Sequence, residues 1–397
     1  MIDAARGPVQ SLDMTHTTDV IVVGLGAMGS AAMYHLAQRG VRVAGFDRFV
    51  PPHAFGSTHG LTRIIRESYY EHPRYVPLVQ RAYELWADLE RRSARRLFHQ
   101  TGGLMIGRKN GVLVSGALRS AREHGLEHEE LTAAEVHSRF PGFVLPNDMV
   151  AFYEPRAGIL DPEGCVDAHL QLAVAAGAEL HVEEPVETWS AFGDRIRVAT
   201  AKGEYDAARL ALCAGAWNPT LIDDDSVSLR VERQVMHWFT PAREAELFSP
   251  RRCPIAMIEY APDRIFYFVP DGGDGIKAAI HHEGELTDPD RVRRDVGNDE
   301  VDRVTELLET YLPCAAGERR RSATCLYTNT PDGHFLVAPH ARHADVLVVS
   351  ACSGHGFKFA SAIGEAVADL MMGVPRPDLD PFGRDRLAQT STARSLG

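Results

Sequence analysis

One stretch near the N-terminus limits the fold more than any other. Asp19 to Gly24 (DVIVVG) is a short apolar run rich in β-branched residues, the pattern of a buried parallel strand. Gly24-Leu25-Gly26-Ala27-Met28-Gly29 then turns the chain, Ser30 to Arg39 has helical periodicity, and Gly40 closes the helix. Val41 to Asp47 reads as a second strand and ends in an acid about twenty residues beyond the glycines. This is the opening of a βαβ unit built for a dinucleotide. The glycines let backbone approach a pyrophosphate, the helix N-terminus stabilises its charge, and Asp47 can accept from a ribose hydroxyl.

Composition narrows the class. With 397 residues the chain exceeds one simple core and suggests two domains. A net charge of −12 argues against a nucleic-acid partner. No apolar run reaches the ~20 residues of a membrane span, and Met1 to Thr18 lacks the apolar region of a secretory signal. Met14 is a candidate start, since the first strand is expected only at Asp19. The six cysteines (165, 213, 253, 314, 325 and 352) have no paired spacing and read as reduced thiols of a cytoplasmic protein. No metal site is expected.

Lysine usage is sharper. Of 42 basic residues only Lys109, Lys202, Lys277 and Lys358 are lysines. A lysine kept in an arginine background points to a need for a compact ammonium or an adjustable pKa. Lys109 and Lys202 sit beside turn-forming residues and read as surface. Lys277 and Lys358 sit in apolar, glycine-flanked segments, where a functional lysine is expected.

Further along, Thr62 to Leu85 and Ala117 to Glu123 read as helices. On the first of these, Arg63 and Arg66, three apart, would share a face. Gly103 to Gly107, Glu179 to Trp189, Arg195 to Thr200 and Arg209 to Gly215 read as strands, the last ending in Ala216-Trp217-Asn218. Ile265 to Val269 and Gly275 to His281 read as an antiparallel pair. Residues four apart on a strand point to one side, so Lys277 and His281 can line one wall, with His282 turned the other way. Val346 to Ser350 feeds a loop, Cys352 to Gly356, opening a helix from about Phe357 to Met372. Free N–H groups there favour an anion, whereas Lys358 in the first turn opposes the dipole, a local conflict that marks a site. The tail beyond Pro375 is polar and expected to pack loosely.

Two C-terminal segments, Thr324-Cys325-Leu326-Tyr327-Thr328-Asn329-Thr330-Pro331-Asp332 and Ser353-Gly354-His355-Gly356-Phe357-Lys358-Phe359, together with the glycine fingerprint, resemble the monomeric sarcosine oxidase and N-methyltryptophan oxidase family of flavoenzymes. The resemblance runs from Asp19 to about Asp380. It implies an α/β fold: a Rossmann-type FAD-binding domain like those of glutathione reductase and D-amino-acid oxidase, with a second α+β substrate domain on an antiparallel sheet. The FAD domain would take 17–95, 150–230 and 325–385, and the substrate domain 96–149 and 231–324, with 1–16 and 386–397 as flexible termini. It implies FAD bound by Gly24, Gly26, Ala27, Met28, Gly29, Asp47, Thr62, Arg63, Val186, Ala214, Gly215, Trp217, Gly354, His355, Gly356, Phe357 and Lys358, and joined through its 8α-methyl group to Cys325. Arg66 and Lys358 would hold a substrate carboxylate. Lys277 would activate oxygen, and His281, Tyr267, Arg63 and His59 would complete the catalytic set. Met257 and Tyr70 would line the substrate pocket.

The implied reaction is oxidation of a small secondary amino acid, sarcosine first, with O2. It gives an imine, then an aldehyde, a primary amino acid and hydrogen peroxide, catalysed by a monomer. Three departures bear on the substrate. The family's H-H-G-D-T-R reads Thr58-His59-Gly60-Leu61-Thr62-Arg63. Its lid Y-G-E-G reads Tyr69-Tyr70-Glu71-His72. The segment before His281 is Ala278-Ala279-Ile280. N-methyltryptophan, a cyclic imino acid such as pipecolate or proline, and a biosynthetic amine therefore stay open as substrates. A nicotinamide-dependent dehydrogenase and a non-catalytic nucleotide binder are the remaining alternatives.

Overall fold

The computed structural model describes residues 16–224 and 226–387. Residues 1–15 and 388–397, which include Met14 and most of the expected flexible termini, lie outside the described residues. The expected first strand is present and begins earlier, as His16–Val23. Its partners are Val43–Phe46 on one side and Gly203–Leu212 on the other, both parallel. Glu179–His181 extends the sheet beyond Val43–Phe46. The long Gly203–Leu212 strand divides its outer edge. Its first half pairs with the antiparallel hairpin Val186–Phe192 and Arg195–Thr200, and its last residues pair with Val346–Ser350. Thus Glu179 to Trp189, expected as one strand, is two strands in different parts of the sheet. The Glu183–Pro185 break, with Glu183 at φ +52°, separates them.

Helices Ala27–Gln38, Pro162–Ala175, Val76–Ser93 and Ala360–Met371 pack together over this sheet. The first is nearly all small or apolar on its buried side, which lets Ala360–Met371 approach closely. A Cβ on Gly364 would lie 2.4 Å from that of Ala31. The chain beyond Pro375, expected loose, docks instead: Leu379 and Phe382 are buried against Tyr75 and Phe335.

The second sheet runs Arg319–Asn329, Arg230–Phe239, Ile276–His281, Arg264–Val269, Ile255–Ala261, Gly103–Arg108, Met149–Glu154, Glu129–Thr132. It is antiparallel except where Ile255–Ala261 meets Gly103–Arg108. The strands Met149–Glu154 and Arg319–Asn329 cross the domain limits drawn at 150 and 324, and both belong to this sheet. A small third sheet, Arg63–Ile65, Gly158–Leu160 and Phe98–Gln100, lies beside them. Arg63 to Ile65 is therefore a strand and not part of a helix; the helix starts at Val76. Two β-branched isoleucines favour extended backbone, and the polar, turn-forming residues after Arg66 end the run. Among the described residues no helix is long and apolar enough to cross a membrane.

A Gly364→Val substitution should force the two helices apart. The expected loss is about 1–3 kcal/mol of stability, read as an earlier urea-unfolding midpoint. An unchanged midpoint would contradict the close helix crossing.

Candidate active site

A single long cleft runs between the two sheets and encloses about 2040 Å³ of space unfilled by protein, part of it open to solvent. At one end is the glycine turn. Gly24 has φ +87°, and its Cα has no room for a side chain because a Cβ would lie 2.6 Å from Ala214 Cα. Gly29 sits against the Gly24 carbonyl. Gly26 caps Ala27–Gln38 without a side-chain acceptor, and the first helical turn has no acid. A Cβ on Gly26 would meet only Thr58 Oγ1, 3.6 Å away across the cleft. Ala27 N makes only a long bond to Thr58 Oγ1 (3.4 Å), and the first-turn N–H groups, the dipole end and backbone open to the cleft fit an anionic pyrophosphate. Asp47 lines the same end and accepts from Leu25 N at 2.8 Å and Phe49 N at 2.9 Å, leaving lone pairs for a further donor. Ala214, Gly215, Trp217 and Val186 form the facing wall.

Midway, basic side chains converge. Lys277 Nζ donates to Gly60 O (3.0 Å), Thr62 O (2.7 Å) and Thr62 Oγ1 (3.0 Å). Arg63 donates to Thr62 O and Ser57 O, and its Nη2 is 3.7 Å from Cys325 Sγ. The turn that presents these oxygens is left-handed at both Gly60 (φ +103°) and Leu61 (φ +66°). Glu163 steadies it by accepting from both of their N–H groups. Burial pushes the Lys277 pKa well down, and the Arg63 charge adds to this. Burial raises the Cys325 thiol, with Arg63 acting the other way.

At the far end Arg66, 1% exposed, donates from Nη2 to both Glu71 oxygens, at 3.0 and 2.8 Å, and from Nη1 to Ser68 O. Its buried Nε has no partner among the described residues. Lys358 Nζ donates to His355 O at 2.9 Å and to Tyr69 Oη at 3.4 Å. His355 Nε2 lies 3.0 Å from Gly333 O, which can only accept, so Nε2 carries the proton and Nδ1 accepts from Tyr69 at 2.7 Å. Burial and then Arg66 lower Lys358 to about 7, against the pull of Glu71. Burial works to raise Glu71, but Arg66, His355 and Lys358 hold it below its usual value. His281, 3.2 Å from Tyr327 Oη, is pushed well below its usual value by burial and by His282.

Nearly all the residues singled out in the sequence line this cleft: Gly24, Gly26, Ala27, Met28 and Asp47, Thr62, Arg63, Arg66, Met257, Tyr267, Lys277, His281, Cys325 and Gly354 to Lys358. Three do not. Gly29 packs against the Gly24 carbonyl instead. Tyr70, expected over the substrate, does not line the cleft; its ring lies 4.8 Å from the Arg66 guanidinium and its backbone carbonyl packs against Gly116. His59 is buried behind the wall and held near pH 3 by burial, Arg63 and Lys277. Arg63 and Arg66 share the cleft, though not through a helix face. Sequence reasoning missed Glu71, Glu163 and Tyr327. The Glu71 carboxylate five residues after Arg66 was a visible signal, obscured by the helix assignment.

A dinucleotide cradle leading into a buried cluster of cations defines a class, and comparison with known proteins agrees with it. The chain belongs to the FAD dependent oxidoreductases: the DAO family model matches residues 19–370. Within that class it belongs to the monomeric sarcosine oxidase and N-methyltryptophan oxidase family. It is 45% identical to monomeric sarcosine oxidase of Streptomyces avermitilis, over 94% of this chain and 99% of the relative. It is 32% identical to N-methyl-L-tryptophan oxidase of Yersinia pestis, over 93% and 99%. Among solved structures NikD, an amino acid oxidase of nikkomycin biosynthesis, superposes with a TM-score of 0.82 at 26% identity, over 93% of this chain and 98% of that one.

Lys358 loses its proton as pH rises through about 7, so the cleft then loses a cation. Acetate, used as a small carboxylate probe, should bind up to about tenfold more weakly per pH unit above that point. Lys358→Met should abolish this limb; a limb that survives the substitution would refute the assignment.

Proposed function

We propose that the protein is a flavin-dependent amine oxidase for small secondary amino acids, sarcosine foremost, acting as a cytoplasmic monomer. The observation that carries this reading is one cleft holding two pairs of cations, Arg66 with Lys358, both buried, and half-buried Arg63 with buried Lys277. FAD would be held by the glycine turn, Asp47, Ala214 to Trp217, Arg63 and Gly354 to Lys358, with a thioether to Cys325. Bound there, it supplies the oxidant for a C–H bond beside nitrogen and passes the electrons on to O2.

Arg66 and Lys358 would bind the substrate carboxylate by charge-assisted contacts. For that, Arg66 must exchange Glu71 for the ligand or share its guanidinium between them. Four nearby cations disfavour an ammonium, so the substrate amine is held as the free base. His281, uncharged at neutral pH, can accept its hydrogen bond, while Tyr267, Tyr327 and Met257 shape the apolar end. Lys277 holds positive charge where oxygen gains electrons. The imine product then hydrolyses to an aldehyde and a primary amino acid.

A bulkier secondary amine is the second reading. Tyr70 standing clear of the cleft removes the obstruction expected at the lid. A panel of secondary amino acids with peroxide detection separates the two: turnover of sarcosine supports the first, and silence with sarcosine beside turnover of a larger amine overturns it.

Two further outcomes are expected. Acid precipitation should leave yellow colour in the wild-type pellet and in the supernatant for Cys325→Ala; colour retained in the variant's pellet would exclude the cysteinyl link. Lys277→Met should slow reoxidation by oxygen by about 100-fold in stopped-flow measurements and leave reduction by substrate much less changed. Equal slowing of both half-reactions would remove the oxygen role.

A further inference from the structure

Lys277 does not stand alone on its sheet. Its cross-strand neighbour on Arg230–Phe239 is Trp238, and the neighbour of Trp238 on Arg319–Asn329 is Arg321. The three form a row across adjacent strands, their side chains on one face. Arg321 Cζ lies over the indole, 3.7 Å from the ring centroid, and Lys277 Nζ lies over it at 5.6 Å. Both distances fall within the reach of a cation–π contact. Trp238 is 1% exposed, whereas Arg321 is exposed to solvent.

The hydrogen bonds of Lys277 specify what the indole must do. Its nitrogen faces three acceptors, Gly60 O, Thr62 O and Thr62 Oγ1. A neutral amine has two N–H groups, and its lone pair would face the third oxygen unless the threonine hydroxyl turned its own proton inward. The ammonium satisfies all three. Other neighbours pull in both directions. Arg63, on its own short strand, and Arg321 oppose the charge; Cys325 and Glu163 favour it; His59, held neutral, adds none at pH 7. Burial is the largest opposing influence. The electron-rich indole of Trp238, within cation–π reach of Lys277, is an apolar surface that favours a cation.

We propose that Trp238 is a positioning residue for Lys277: its indole ring holds the ammonium against the Gly60–Thr62 turn and at the same time carries the solvent-exposed Arg321 from the other neighbouring strand. Through this row a surface charge acts on a buried one. The functional consequence, a cation kept in place for oxygen, rests on the role proposed above for Lys277; the contact itself does not.

The scarcity of lysine makes a direct test practical. With 13Cε-lysine labelling, the full-length, flavin-loaded protein should show only four lysine signals, and Lys277→Met assigns one of them. In Trp238→Leu the Lys277 titration midpoint should fall by about half to one and a half pH units. In Trp238→Phe, which keeps a ring and suits a packing-sensitive position, it should fall less. In Arg321→Gln, at an exposed position that does not threaten folding, the midpoint should rise, because a like charge is removed and the indole ring no longer serves two cations. Lys109 and Lys202 should not move in any variant. Stopped-flow reoxidation profiles against pH should shift in the same directions. Identical Lys277 midpoints in wild type, Trp238→Phe and Arg321→Gln would overturn the proposal. If Lys277→Met leaves reoxidation untouched while these midpoints move as expected, the oxygen role fails and the positioning role of Trp238 stands.

Discussion

The structure depends on keeping four cations out of water around one cleft. Arg66, Lys277 and Lys358 are nearly inaccessible and Arg63 is half-buried. Unpaired, each would cost several kcal/mol. The protein offsets this mostly with neutral oxygens: carbonyls of Ser57, Gly60, Thr62, Ser68 and His355, and hydroxyls of Thr62 and Tyr69. Among the described residues only Glu71 pairs with one of them as a carboxylate. The cleft therefore keeps a positive excess that an anionic ligand would relieve. The same excess, added to burial, keeps His59, His281 and His355 uncharged, so three histidines beside the cations act as neutral hydrogen-bonding groups.

That arrangement explains why the two sheets must meet where they do. The acceptors for Lys277 come from the turn that leads into Arg63–Ile65 of the small third sheet, whereas Lys277 and Cys325 stand on the antiparallel sheet. The turn gives up ordinary backbone geometry to present its carbonyls, and Leu61 holds a left-handed conformation unusual for its residue type. Glu163, at the start of Pro162–Ala175, compensates by accepting both exposed N–H groups. A helix packed in one layer thus fixes the charge geometry of the next.

Much of this was legible beforehand, for physical reasons. The glycine turn declares itself because few other sequences let backbone approach backbone so closely. Lys277 and His281 were placed on one wall because strand periodicity is strict. Lys277 and Lys358 stood out against an arginine-rich background, and both proved buried. What stayed hidden was decided by tertiary context. Arg63-Ile64-Ile65 carries no periodicity long enough to separate strand from helix, and its partners lie about a hundred residues away in Gly158–Leu160. Glu163 and Trp238 acquire their meaning only from residues remote in sequence. Tyr70 and His59 show the converse: a matching motif position does not say which way a side chain turns once its neighbours change.

The burial of Lys277 and Lys358 has a practical side. Among lysines, only Lys109 and Lys202 present their amines to solvent, and Lys202 is already engaged by Glu184 at 3.1 Å. Amine-directed coupling to a support or sensor surface would therefore find few lysine anchor points. Neither Lys109 nor Lys202 lines the cleft. Molecules attached through those side chains would sit in a small number of orientations, a degree of uniformity that lysine-rich enzymes do not offer.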